Sequence, residues 1–165
     1  DTFVDALSID HGDLGYEILK KGLIEKFTQD EEEKILILVS VKNHNKLKIE
    51  DGLTEEEIKF CKLIRDADKI DILETQGLEI DEVRPLKKIL LDDLYSDKIC
   101  KNEDCVNKTD TIVKMISWLA DFNFPYSYRY LKEHNIMEEK IKLLGNVEGI
   151  NELHDYVNKK IEERC

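Results

Sequence analysis

The scarcity of residues that interrupt helices is the feature that most constrains what this chain can fold into. Among its 165 residues there are only 2 prolines and 7 glycines, and charged side chains recur at helical spacing along nearly the whole sequence. Proline and glycine are the strongest local breaks in regular structure, and charges interleaved with apolar residues at this spacing are typical of amphipathic helices. The pattern therefore predicts an all-α protein with short connections.

Seven segments carry the helical pattern most clearly. The second, "DEEEKILILVSVKNHNK", opens with acids that suit a helix N-terminus and is then apolar all round, which predicts a buried central helix. Its "ILILVSV" stretch alone is equally compatible with a strand. The third begins with a capping-box pattern from Thr54 to Glu57. We predict helices over residues 10–27, 30–46, 54–73, 81–94, 109–122, 126–133 and 149–163.

The charge balance limits the kinds of partner. The 37 acidic residues outnumber the 25 basic ones, for a formal charge of -12, which repels the backbone of long DNA or RNA. A small phosphorylated substrate is not excluded, because a bound divalent cation reverses the local field. No apolar run is long enough to span a bilayer and no signal peptide is recognisable. Four irregularly spaced cysteines do not form a disulfide framework, so we expect a cytoplasmic protein with reduced thiols and no membrane partner.

Residues 65–71, "RDADKID", place three aspartates in an otherwise apolar helix. At 100° per residue, Asp71 falls beside the stripe of Phe60 and Ile64, and Asp68 lies on its flank. Asp66 points to the other side. We therefore expect Asp68 and Asp71 to face inward, where a carboxylate needs a compensating partner.

His11, His44 and Asp68 stand on three successive predicted helices. His11 shares a helix face with Leu14 and Ile18, which predicts that it points inward. Imidazole and carboxylate together are suitable ligands for a divalent metal. From the spacing alone, an alternative stays open in which the two histidines are hydrogen-bonded core residues and Asp68 pairs with a lysine or arginine.

Three stretches, "SIDHGDLGYEIL", "VKNHNK" and "KLIRDADKIDIL", in this order and separation, resemble the HD-domain superfamily of metal-dependent phosphohydrolases over residues 3–75. The resemblance implies an HD-like helical bundle in which His11, His44 and Asp68 are metal ligands, with Asp68 and His44 also catalytic. It implies that Asp66 and Asp71 orient the ligands. Residues 1–75 would be the C-terminal part of the HD-like core, and residues 76–165 a helical extension packed on it.

The implied function is metal-dependent hydrolysis of a small phosphate ester or a nucleotide. The divalent cation would be Mn, Fe, Mg, Zn or Ni. The upstream histidine and His-Asp dyad of the family pattern do not precede these motifs, so we expect a fragment of a longer protein. The alternative is a noncatalytic helical sensor or protein-interaction module derived from the same fold. Arg65 and Arg129 are candidates for phosphate contacts. The literal His154-Asp155 dyad lies in a polar stretch, and we expect His154 to be a half-exposed surface residue.

Overall fold

The computed structural model describes residues 10–78, 80 and 82–165, and the regular secondary structure of this part is helical. Residues 3–9 of the resemblance, and residue 81 at the start of a predicted helix, lie outside that part. Within the described part, short 3-10 turns occur at Leu23–Lys26, Asn102–Asp104 and Trp118–Ala120. The α-helices are α1 (His11–Lys20), α2 (Glu31–Asn43), α3 (Glu55–Thr75), α4 (Lys88–Tyr95), α5 (Lys108–Ser117), α6 (Pro125–Glu133), α7 (Ile136–Lys142) and α8 (Ile150–Arg164).

The all-α prediction is confirmed for these residues, and "ILILVSV" lies in helix α2 rather than in a strand. Four predicted segments extend beyond the α-helices that form. The second and fifth segments end early, at Asn43 and Ser117. The first ends as an α-helix at Lys20, since Gly22 adopts a left-handed φ of 112° that side chains other than glycine rarely adopt. The fourth becomes helical only at Lys88. Helix α7 was not predicted.

Local capping explains where α2 and α3 begin. The Asp30 carboxylate accepts hydrogen bonds from the amides of Glu32 (2.9 Å) and Glu33 (3.0 Å). At α3, the Thr54 hydroxyl accepts from the Glu57 amide (3.2 Å), and the Glu57 carboxylate accepts from the Thr54 amide (2.6 Å). This reciprocal pair confirms the predicted capping box and satisfies donors that the first helical turn leaves unpaired.

The chain divides into two compact units, Asp1–Asp68 and Lys69–Cys165, and the division falls within α3. The second unit has a continuous apolar core drawn from α3 to α8. Burial of each large aliphatic side chain contributes about 1.5–3 kcal/mol relative to exposure. The fully buried members include Leu73, Leu90, Leu94, Ile112, Met115, Ile116, Leu119, Leu131, Met137, Leu144 and Leu153.

Two charged groups connect helices within this second unit. Asp97 follows α4 with a left-handed φ of 56°, and its carboxylate accepts hydrogen bonds from Tyr156 (2.7 Å) and Lys160 (2.5 Å) on α8. On α7, the buried Lys140 donates to the carbonyl of Gln76 (3.1 Å), and burial lowers the pKa of its amine.

The first unit buries far fewer apolar side chains. Among its described residues, the buried hydrophobic ones are Ile24 and Cys61. The prediction that α2 is a buried central helix is wrong, because Ile35 is exposed and the remaining aliphatic residues of α2 are half-buried. Its buried positions are instead polar: Lys34, Ser40 and Asn43. No helix among the described residues has the length and apolar character needed to cross a bilayer.

Candidate functional site

The start of α1 places His11 beside a fixed carboxylate. Asp10 caps the helix by accepting from the amide of Asp13 (3.0 Å), and it also accepts from the Asn45 side chain (3.0 Å) and from Lys46 (2.9 Å). Burial acts to raise the pKa of Asp10, but these hydrogen bonds outweigh it and hold the pKa well below the usual range. Helix α1 is thereby anchored to the turn that follows α2.

Gly12 allows α1 to approach that turn closely. A Cβ atom at this position would overlap the Asn45 side-chain oxygen and would lie 3.1 Å from the carbonyl oxygen of Lys42. Asn45 is held in place by its hydrogen bond to Asp10. The glycine of "DHGD" is therefore required by the contact between the two segments that carry His11 and His44.

The structure brings His11 and His44 together. Their Nε2 atoms are 2.9 Å apart and their ring centroids 4.8 Å apart, with the rings inclined at 64°. His44 Nδ1 lies 2.6 Å from the carbonyl oxygen of Val41. Since a carbonyl only accepts, His44 Nδ1 carries the proton, and in the neutral ring its Nε2 presents a lone pair. His11 Nε2 is then the donor in the contact between the two rings.

The sequence prediction for the inward face of α3 is wrong. Asp66 is buried, at 2% exposure, whereas Asp71 is exposed and Asp68 is half-buried. Phe60 and Ile64, which were expected to mark the inward stripe, are each 37% exposed. Apolar residues occur on several sides of this helix, so the wheel alone does not identify the buried side.

His11 is likewise exposed rather than inward. Its neighbours on the expected buried face, Leu14 and Ile18, are also exposed. The buried residue of α1 is Gly12, so the side that approaches α2 is marked by the absence of a side chain. A hydrophobic stripe was the wrong signal for this helix.

Asp68 does not complete a three-ligand site with the two histidines. Across residues 10–78, 80 and 82–165, no three histidine, cysteine, aspartate or glutamate side chains are grouped so that they could hold a metal ion. The described site contains the two imidazoles and Asn45, whose amide nitrogen lies 3.5 Å from His11 Nδ1 and donates to Asp10. Lys46 forms ion pairs with Asp10 and Asp13 beside them.

Sequence reasoning missed the role of Arg65. It was considered as a phosphate contact, but it is only 8% exposed and its guanidinium donates to the carbonyl oxygens of Asn43 (3.4 Å) and Lys46. These carbonyls lie on either side of His44 in the sequence. The other candidate for a phosphate contact, Arg129, is exposed on α6.

The remaining histidines occupy different surroundings. His154 is half-exposed, as predicted, and its Nε2 lies 2.7 Å from a carboxylate oxygen of Glu138. It lines an open cleft of about 420 Å³ formed by α6, α7 and α8. His134 is exposed and stacks on Tyr130, with 4.1 Å between ring centroids. Both serve as controls for the pair in the first unit.

Comparisons with protein-family models, with curated proteins and with solved structures found no match to this chain. The assignment of a function therefore depends on the geometry of the histidine pair and on the motif resemblance.

Proposed function

We propose that this chain contributes His11 and His44 as metal ligands to a divalent-metal-dependent phosphohydrolase of the HD-domain type. The observation that carries the proposal is the 2.9 Å separation of the two Nε2 atoms. Nitrogen ligands lie about 2.0–2.1 Å from a first-row divalent metal, so two adjacent ligands of an octahedral ion are about 2.9 Å apart. The separation is compatible with such an ion, and it is also that of the hydrogen bond between the two rings.

The tautomer of His44 also fits metal binding. Metal-bound histidines almost always donate their second ring N–H to a carbonyl, a carboxylate or water, which fixes the ring and leaves the other nitrogen for the metal. The bond from His44 Nδ1 to Val41 is of this kind. In this proposal a metal would replace the proton shared by the two Nε2 atoms.

The two imidazoles need a carboxylate partner to match the resemblance. The resemblance assigns this role to Asp68, which is half-buried on α3 and is not grouped with both histidines in the described part of the chain. When bound, the metal would supply a water of lowered pKa and polarise a phosphoryl oxygen. His11 and His44 would hold the cation, and its charge would allow a phosphate to approach a chain with a net charge of -12.

The test is metal binding by the full chain, which offers matched controls because it has 4 histidines. Wild type, His11→Ala and His44→Ala are titrated with Co²⁺ or Ni²⁺ by calorimetry. The same proteins are then assayed for hydrolysis of a panel of nucleotides and phosphate esters. We expect each variant to lose metal affinity by more than about 10-fold. Replacing even a residue that only supports a metal ligand typically lowers metal affinity by about 10–100-fold. His134→Ala and His154→Ala should bind as wild type.

Two results would contradict the proposal. One is a wild-type chain that binds neither ion and hydrolyses no member of the panel. The other is an equal loss of binding in all four histidine variants, which would indicate nonspecific coordination by surface imidazoles.

A noncatalytic interaction module is the second candidate function, and the exposed apolar side chains of the first unit favour it. Leu14, Ile18, Phe27, Ile35 and Leu63 are all at least 44% exposed. Contiguous apolar surface is typical of protein-protein contacts, and such a module would use these side chains together. The same titration discriminates, since a module without a metal site gives no histidine-dependent binding.

A further inference from the structure

We infer that Arg65 is a positioning residue that fixes His44 for metal binding by holding the backbone on both sides of it. The inference rests on the proposed function of the histidine pair. It concerns a side chain on α3 that donates to backbone carbonyl oxygens of the turn that follows α2.

The turn after α2 has backbone acceptors that need donors. Helix α2 ends at Asn43, and the last carbonyl groups of a helix have no partner within it and carry the negative end of its dipole. Arg65 Nη1 donates to the carbonyl oxygens of Asn43 and Lys46. A buried cation at this end of the helix satisfies both the hydrogen-bonding and the electrostatic requirement.

The same turn is held from within by Asn43, which is fully buried. Its side-chain amide donates to the carbonyl of Val39 (2.9 Å), and its side-chain oxygen accepts from the amide of Glu50 (2.9 Å). The Asn43 carbonyl oxygen also accepts from the Lys46 amide (3.4 Å), and Arg65 adds a bond to the Lys46 carbonyl oxygen. The path of residues 43–46, and with it the direction of the His44 side chain, is therefore fixed by two separate side chains.

Lysine is a poor substitute at this position. A guanidinium is planar and offers several donors in a rigid arrangement, whereas an ammonium is a compact and strongly hydrated charge. Burial of an ammonium also favours its neutral form. Arg65→Lys is thus a conservative variant that keeps the helix and nominal charge but loses the bridge between the two carbonyls.

The experiment compares wild type with Arg65→Lys, Arg65→Met and the exposed control Arg129→Met. Two quantities are measured on the full chain: the affinity for Co²⁺ by calorimetry, and the tautomer of His44 in the metal-free state from long-range ¹H–¹⁵N NMR spectra. Circular dichroism establishes that each variant is helical. We expect Arg65→Lys and Arg65→Met to lose about 10–100-fold in affinity and to show a mixture of His44 tautomers, while Arg129→Met matches wild type.

The two readouts separate this inference from the proposed function. If wild type binds no Co²⁺ but the His44 tautomer changes in the Arg65 variants, the positioning role stands and the proposed function fails. If a helical Arg65→Lys retains both the wild-type affinity and the Nδ1–H tautomer, the inference is overturned. Should Arg65→Met not fold, Arg65→Lys alone decides the result.

Discussion

Replacing Gly12 by alanine tests the close contact on which the histidine pair depends. The added Cβ would overlap Asn45 and crowd the carbonyl of Lys42. Overpacking of this kind costs about 1–3 kcal/mol, and displacing Asn45 breaks its bond to Asp10, at about 1 kcal/mol. Alanine regains up to about 1 kcal/mol of helix propensity. The expected net loss is about 2 kcal/mol in the stability of the α1–α2 contact.

Gly15→Ala is the matched control on the same helix. Its Cβ would lie 3.0 Å from a methyl group of Val41, a side-chain contact that relaxes by a small shift. The gain in helix propensity then offsets the crowding, and we expect a change close to zero.

Amide hydrogen exchange of peptides covering residues 10–46 measures the effect where it occurs. The single tryptophan, Trp118, lies in the second unit and is not a suitable probe of α1. A loss of about 2 kcal/mol corresponds to roughly 30-fold faster exchange through local opening. Equal exchange in Gly12→Ala and Gly15→Ala, or slower exchange in Gly12→Ala, would refute the packing argument.

Three further perturbations test the second unit and the start of α3. Burial lowers the pKa of Lys140, so the unfolded chain holds more protons and stability rises with pH toward the unfolded value of about 10.4. The Tm of Lys140→Met, which also loses the bond to Gln76, should therefore fall relative to that of wild type as the pH rises toward 10–11; a Tm difference that stays constant across pH 6–11 would contradict this. Asp97→Ala should be about 1 kcal/mol less stable than Asp97→Gly in urea unfolding. Both variants lose the bonds from Tyr156 and Lys160, but only glycine relieves the positive φ. Equal losses of stability would show that the backbone is not strained. Thr54→Ala should destabilise the first turn of α3 by about 1 kcal/mol, which is measured as faster amide exchange in that turn. Thr54→Ser should leave the exchange rate unchanged. Identical exchange in the two variants would exclude a capping role.

The elements that the sequence predicted well depend on neighbours within one turn of a helix. The capping box from Thr54 to Glu57 needs residues at i and i+3, and the acids that begin α2 act on the amides beside them. Such interactions form wherever the local sequence is present. For the same reason the all-α class followed from few helix breakers and helical spacing of charge.

The face of α3 that is buried was not determined by local spacing. Apolar residues occur on several sides of this helix, so which side is buried depends on what packs against it. Tertiary structure selected the side of Cys61 and Arg65, which placed Asp66 inside and left Asp71 exposed. A helical wheel contains no information about the neighbouring helix.

By itself, the sequence determined the helical class and the capped starts of α2 and α3, and it singled out His11 and His44 as candidates. Only the tertiary structure decided that the two imidazoles meet at 2.9 Å, that Gly12 permits the approach and that Arg65 holds the intervening backbone. His11 and His44 are separated by 33 residues, and no spacing rule extends over such a distance. The physical reason is that hydrogen bonding within a helix is local, whereas a site shared by two helices depends on how closely their backbones approach.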